Sequence, residues 1–160
     1  MSRLLHLGCG GDYREGFINC DRTTVSPRGK KQKVDLVFEL GEKFPFNENE
    51  IFDGIVAMHV FQQLHWRDLV SCFRECYRLL KPRGVLRFGS PSIELHFFKL
   101  DYLLGWNNVN LFSVDLIRHV LIEIGFVKFE IKDFGDSALP ELASVDNRKD
   151  RGTIYFEAIK

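Results

Sequence analysis

The sequence predicts an α/β domain built on a mostly parallel sheet, and three observations support this fold class. Segments typical of strands alternate with segments of helical period. A glycine-rich turn follows the first predicted strand, and a carboxylate, Asp21, ends the second. The last two predicted strands alternate apolar and polar residues, as strands covered on one face do. The 160 residues suffice for one domain with a single core, spanning residues 1–160.

Apolar periodicity and turn residues predict seven strands and three helices. The strands are expected near residues 3–7, 17–21, 34–39, 52–57, 84–90, 126–133 and 152–159. The helices are expected near residues 66–80, 94–104 and 113–124. Lys81-Pro82-Arg83-Gly84 ends the first helix and Gly125 ends the last, because proline and glycine stop helices. The final two strands are expected to form an antiparallel edge of the sheet.

The connections between the first three strands are too short or too irregular for crossover helices. Only residues 11–16 separate the glycine turn from the second strand, and residues 22–33 lack an apolar period. Arg87 also interrupts an otherwise apolar strand. We therefore expect helices mainly on one face of the sheet. The other face would be covered by residues 134–151, by a second subunit in a homodimer, or by water.

Charge and cysteine content exclude several classes of partner. The 22 basic and 22 acidic residues balance, which disfavours nucleic acid. There is no long apolar stretch and no signal peptide, so we expect a cytoplasmic protein with no membrane partner. The four cysteines lack the spacing of a metal site, so no metal is expected. The basic run at residues 28–33 is interpreted as a solvated loop, with an anion site as the alternative.

The turn Gly8-Cys9-Gly10-Gly11, followed by Asp21, is typical of a site for a cofactor that contains a nucleoside. Glycines let the backbone approach a ligand, and a carboxylate accepts hydrogen bonds from ribose hydroxyls. A dinucleotide fingerprint would place its third glycine at Tyr13 and its acid about 20 residues on. Asp21 instead follows Gly10 by 11 residues. The spacing therefore disfavours a nicotinamide-dependent oxidoreductase.

Further blocks follow the turn in a fixed order. They are the acid-Leu pair Glu39-Leu40, the segment Phe44-Pro45-Phe46, the strand Phe52-Asp53-Gly54-Ile55 and the turn Leu80-Lys81-Pro82-Arg83-Gly84. Over residues 4–90 this set resembles the class I S-adenosylmethionine-dependent methyltransferases of the small type-11-like kind. The resemblance implies a Rossmann-like sheet and S-adenosylmethionine as the cofactor.

The resemblance also implies roles for residues at the carboxyl ends of the strands, where open α/β sheets bind ligands. The cofactor's amino-acid end would meet Gly8, Cys9 and Gly10, its ribose Asp21, and its adenine Glu39 and Leu40, with Met58 and His59 bordering the ligand. His59 is also the candidate catalytic base, since imidazole titrates near neutral pH. A packing or orienting role is the alternative for His59.

The leading hypothesis for function is methyl transfer to a small-molecule or glycan-related acceptor. The alternative is a non-catalytic regulatory or scaffold protein of the same fold that binds the cofactor. Two features motivate this alternative: the missing helices, and Gln62-Gln63 in place of the Glu-His pair that the family often carries. No residue in the sequence identifies the acceptor.

Overall fold

The computed structural model describes residues 2–91, 109–110, 113–146 and 153–160. The strands in these ranges are β1 (Leu4–Leu7), β2 (Phe17–Asp21), β3 (Leu36–Val37), β4 (Phe52–Met58), β5 (Leu80–Pro91), β6 (Lys128–Lys132) and β7 (Thr153–Ile159). They form one sheet in the order β3-β2-β1-β4-β5-β7-β6. The first five strands pair in parallel, and β7 runs antiparallel to both β5 and β6. The predicted fold class is confirmed.

Two α-helices lie in the described ranges, α1 (Trp66–Leu79) and α2 (Val114–Ile124). The Ser113 hydroxyl begins α2 by accepting a hydrogen bond from the N–H of Leu116 at 3.2 Å. Gly125 ends it with a φ of 125°, a conformation that favours glycine. Single turns of 3₁₀ helix occur at Phe61–Gln63 and Pro140–Leu142. The helix predicted near residues 94–104 lies outside the described residues.

Both helices contribute to the main core, on one face of the sheet. The buried side of α1 has the spacing of an amphipathic helix and comprises Leu69, Cys72, Phe73, Cys76 and Leu79. Phe73 packs against Phe61 and Phe88, with ring centroids 5.1 and 5.6 Å apart. Phe88 in turn stacks on Phe156 at 4.9 Å, so the aromatic cluster joins α1 to both β5 and β7.

The opposite face of the sheet is covered by an irregular segment of the chain. Leu142 and Val145 belong to a second buried cluster, and Leu139 packs against it. The sheet contributes Leu4, Val56, Met58, Val85 and Tyr155 to the same cluster. Of the three alternatives given for this face, cover by residues 134–151 agrees with the packing of Leu139, Leu142 and Val145.

A buried ion pair fixes that segment to the sheet. The Arg87 guanidinium, with no exposed surface, donates from Nη1 to Glu157 Oε1 at 2.8 Å across the β5–β7 ladder. The same guanidinium donates to three main-chain carbonyl oxygens, those of Asp136 at 2.7 Å, Asp133 at 2.9 Å and Ala143 at 3.4 Å. Glu157 Oε2 accepts the N–H of Ala138 at 2.9 Å. The two side chains thus form hydrogen bonds with backbone groups that do not belong to a helix or strand.

A second polar anchor holds the short loop before β2 on the same face. The buried Asn19 side chain accepts the N–H of Arg14 at 2.9 Å and donates to the carbonyl oxygens of Arg14 and Phe17 at 2.8 and 3.0 Å. The Asn19 N–H donates to the Asp35 carboxylate at 2.8 Å, just before β3 begins. β3 spans only Leu36–Val37 and is shorter than the predicted 34–39. His6 Nδ1 lies 3.3 Å from Asn19 Oδ1.

We predict that Glu157→Gln lowers the free energy of unfolding by about 3 kcal/mol or more, because it leaves the buried Arg87 charge uncompensated. Glu130→Gln is the matched control, since Glu130 faces Glu157 across the β6–β7 ladder but pairs with Lys128 and Lys132 at the surface. We expect the control to change stability little. Urea unfolding of both variants measures the difference, and equal effects would show that the buried pair is not the anchor.

We also predict acid destabilisation through His6. Burial lowers the pKa of His6 from 6.5, so below pH 6.5 the unfolded chain gains a proton that the folded chain does not. Stability present above pH 6.5 is therefore lost as the pH falls toward the folded-state pKa. In urea unfolding between pH 7.5 and 5.5, His6→Gln should show a smaller loss than the wild type. His119→Gln, at an exposed histidine, should follow the wild type.

Candidate functional site

A cavity of about 460 Å³ opens at the carboxyl ends of β1 and β2, beside the residues that follow β3 and β4. Its volume lies within the range of sites for small ligands and cofactors. Five of the eight residues predicted to bind the cofactor line it: Gly8, Gly10, Asp21, Glu39 and Leu40. Cys9, Met58 and His59 do not line it.

The glycine turn depends on two left-handed residues. Gly8 and Gly10 have φ angles of 59° and 53°, which glycine adopts without a steric penalty. A Cβ atom at Gly8 would lie 2.3 Å from Val60 Cγ2, so the turn packs directly on the chain after β4. A Cβ at Gly10 would meet only Gln32 Oε1, at 3.8 Å. The backbone at Gly10 is therefore open on the side of the cavity.

Cys9 contributes its backbone to the turn rather than its thiol. Its N–H donates to the carbonyl oxygen of Cys20 at 2.9 Å, and its carbonyl accepts the N–H of Asp12 at 2.8 Å. Burial, with a smaller contribution from the nearby carboxylate of Asp21, raises the pKa of the Cys9 thiol to about 12. The thiol therefore stays protonated and unreactive at neutral pH.

The Asp21 carboxylate is held in one orientation at the end of β2. Oδ2 accepts the N–H of Gly10 at 2.9 Å, and Oδ1 accepts the N–H of Thr23 at 3.3 Å. A carboxylate has about four lone-pair positions, so each oxygen keeps capacity for a hydroxyl group in the cavity. This geometry suits the vicinal hydroxyls of a ribose.

Apolar side chains also line the cavity. Phe38 and Leu64 line it together with Glu39 and Leu40, and Phe38 is fixed by its contact with the buried Phe44 ring at 4.9 Å. A planar base requires such an apolar wall with a polar group at its edge. Glu39, whose side chain is exposed, is a polar group beside these apolar side chains.

A hairpin at residues 23–32 forms a wall that the sequence analysis did not predict. Its arms are joined by an antiparallel bridge between Val25 and Lys31, and the N–H of Gln32 donates to the carbonyl of Thr24 at 2.7 Å. The cavity is lined here by Thr23, Val25, Pro27 and Gln32. The basic residues of this hairpin are exposed, as the interpretation of a solvated loop requires. A segment without apolar period gave no signal for this wall.

Met58 and His59 lie on the other side of the sheet. Met58 belongs to the cluster beneath the irregular segment. His59 is buried, with Nε2 3.4 Å from Asp146 Oδ2 and 3.2 Å from Thr153 Oγ1. Their neighbour Val60 reaches the cavity, so the chain crosses from one side to the other between His59 and Val60.

The two glutamines that replace the family's Glu-His pair have different surroundings. Gln63 lines the cavity and donates from Nε2 to the carbonyl oxygen of His59 at 3.2 Å. Gln62 is buried, and its Oε1 has no hydrogen-bond partner among the described residues. Its main-chain carbonyl accepts the N–H groups of Val109 and Asn110 at 2.9 and 3.0 Å.

In residues 2–91, 109–110, 113–146 and 153–160, no group of three or more His, Cys, Asp and Glu side chains is arranged to hold a metal ion. No helix in those same ranges combines the length and apolarity needed to cross a membrane.

Residues 3–88 match the family model described as a methyltransferase domain, which covers more than half of the chain. The chain belongs to this family. The resemblance to class I S-adenosylmethionine-dependent methyltransferases is confirmed, and with it the prediction of S-adenosylmethionine as the cofactor. No curated protein sequence matches the chain significantly.

Solved structures share the fold of this methyltransferase at low sequence identity. A SAM-dependent methyltransferase from Archaeoglobus fulgidus matches with a TM-score of 0.72 and 17% identity, over 99% of this chain and 86% of that one. A SAM-dependent methyltransferase from Thermotoga maritima gives 0.67 and 15%, over 100% and 83%. Phosphoethanolamine N-methyltransferase 2 from Haemonchus contortus, solved with S-adenosyl-L-methionine, gives 0.63 and 16%; this chain spans 48% of its length.

We predict that Gly8→Ala destabilises the methyltransferase and abolishes cofactor binding, because the new Cβ meets Val60 at an unfavourable φ. Gly11→Ala is the matched control in the same turn, since a Cβ there has no atom within 4 Å and needs no left-handed backbone. Thermal unfolding and calorimetry with S-adenosylhomocysteine check both variants. Tight binding by Gly8→Ala would show that this turn does not shape the site.

Proposed function

We propose that this methyltransferase transfers the methyl group of S-adenosylmethionine to a small-molecule acceptor, with glycan-related compounds as one such class. The observation that carries the proposal is the Asp21 carboxylate, fixed by two backbone N–H groups beside the open face of Gly10. The balanced charge of the chain supports a small acceptor over nucleic acid.

Within this proposal, different residues of the cavity bind different parts of the cofactor. The backbone from Gly8 to Gly10 meets its amino-acid end, and Cys9 acts there through its main chain. Asp21 accepts hydrogen bonds from the ribose, and Glu39 and Leu40 border the adenine. When bound, S-adenosylmethionine supplies a methyl group already activated by the positive charge on sulfur.

The protein must then position the acceptor and remove its proton. Because the donor is already activated, positioning is the main source of rate enhancement. His59 is the proposed base, at the carboxyl end of β4. Met58 precedes it at the end of β4 and packs in the cluster with Leu142 and Val145, on the same side of the sheet as His59. Gln63 connects the two sides, because it lines the cavity and hydrogen-bonds the backbone of His59.

We predict that Asp21→Asn weakens binding of S-adenosylhomocysteine by about tenfold or more. The amide cannot accept both backbone N–H groups and both ribose hydroxyls, and a hydrogen bond to a charged group is worth about 1.5–3 kcal/mol. Asp12→Asn is the control, since Asp12 pairs with Arg14 at 2.9 Å and does not line the cavity. Equal affinities of the two variants would refute the assigned role of Asp21.

The reaction itself is tested with the unmodified protein. Release of S-adenosylhomocysteine is measured with a panel of small hydroxyl, amine and glycan-related acceptors. Turnover with any of them supports the proposal and identifies the acceptor class. Tight cofactor binding without turnover across the panel would instead favour the non-catalytic alternative.

A further inference from the structure

A buried polar cluster lies beyond the end of β4, outside the cavity. It consists of His59, Asp146, Thr153 and Tyr155. Asp146 Oδ2 accepts the hydroxyl of Tyr155 at 2.8 Å and faces His59 Nε2 at 3.4 Å. His59 is 4% exposed and Asp146 is 2% exposed, so both are largely removed from water. Buried polar groups of this kind are costly unless they are paired.

The backbone of His59 is held in an uncommon conformation. Its φ is 58°, a left-handed value that few non-glycine residues adopt. Its N–H donates to the carbonyl oxygen of Gly89 at 2.8 Å, and its carbonyl accepts Gln63 Nε2 at 3.2 Å. Hydrogen bonds on both sides of the residue therefore hold its backbone in this conformation, and the ring itself is held by its contacts with Asp146 and Thr153. Strain that is held in this way is found most often at functional sites.

We propose that Asp146 is a positioning residue that holds the His59 proton on Nε2 and leaves Nδ1 as the nitrogen that accepts a proton. An ionised carboxylate only accepts hydrogen bonds, so the ring nitrogen that faces it carries the hydrogen. Nδ1 makes no hydrogen bond to any described residue. The arrangement follows the general rule that a base is oriented by a third group.

The inference rests on the proposed function, and the proton step balances within it. The proton leaves the acceptor's O–H or N–H group and forms a new N–H bond with the Nδ1 lone pair. The electron pair of the broken bond stays on the acceptor atom, and the imidazolium later returns the proton to water. The 3.4 Å contact between Nε2 and Asp146 is long, as catalytic hydrogen bonds often are before substrate binds.

The surrounding charges are consistent with this role for Asp146. Across the cluster, Tyr155 presents its hydroxyl to Asp146 and its ring to Arg87, whose guanidinium carbon lies 5.1 Å from the ring centroid. Arg87 is itself paired with Glu157. Among the described residues, Asp146 is therefore the carboxylate that faces His59, while the neighbouring charges of Arg87 and Glu157 neutralise each other.

The experiment is nitrogen NMR of histidine-labelled protein at pH 8 without cofactor, which reports the tautomer of each ring. In the wild type we expect Nε2 to be protonated and Nδ1 unprotonated. Asp146→Ala should lose this preference and show a substantial Nδ1–H population. Asp136→Asn is the control, because Asp136 lies in the same segment with a largely exposed carboxylate; its His59 signals should match the wild type.

Tyr155→Phe provides a milder variant in case Asp146→Ala does not fold. Removing the hydroxyl that Asp146 accepts should shift the His59 signals in the same direction by a smaller amount. A wild-type Nδ1–H tautomer, or tautomers unchanged in both folded variants, would overturn the inference. Calorimetry with S-adenosylhomocysteine separates the two proposals, since cofactor binding with the wrong tautomer refutes only the role of Asp146. Correct tautomers without cofactor binding refute the proposed function.

Discussion

The buried pair of Arg87 and Glu157 is the interaction on which the face covered by residues 134–146 depends. An irregular segment has many backbone polar groups and few partners for them, so it cannot cover a sheet through apolar contacts alone. The Arg87 guanidinium donates hydrogen bonds to three carbonyl oxygens, those of Asp133, Asp136 and Ala143. The Glu157 carboxylate accepts one backbone N–H, that of Ala138. Leu142 and Val145 can then bury their side chains against the strands. Removing one partner of such a pair leaves the other charge buried and unpaired, which strongly destabilises the folded protein.

The short connections on the amino-terminal side have a corresponding effect at the cofactor site. Because residues 11–16 leave no room for a helix, the loop is fixed by the side chain of Asn19 instead. Between β2 and β3 a hairpin takes the place of a helix, and its inner side forms a wall of the cavity. Of these two connections, the hairpin also lines the cavity. The glycine turn and Asp21 are positioned by β1 and β2, the strands that carry them, and do not require a crossover helix.

Residue patterns predicted the strands and the residues of the cavity well. They predicted less well the side-chain contacts on the face covered by residues 134–146. The apolar runs at β1, β4 and β5 and the glycine spacing before Asp21 are local signals, and each lies where it was expected. Alternation in β7 predicted helices mainly on one face, and both α-helices of the described residues pack on one face. The alternation could not show whether Glu157 was solvated or paired with Arg87. A period of two indicates which face of the sheet a side chain lies on, but not which residue it contacts. The positions of Met58 and His59 depend on a left-handed residue after β4, which the sequence does not indicate.

The anchor of this face and the proposed base belong to one chain of contacts. Glu157 pairs with Arg87, Arg87 lies over the Tyr155 ring, and the Tyr155 hydroxyl reaches Asp146 beside His59. A crossover helix packed on this face would bury apolar side chains, because that is what a helix presents to a sheet. An irregular segment has no such periodic requirement, so it can carry a carboxylate to the end of β4. The short connections therefore leave this face open to Asp146, the residue that we propose orients His59.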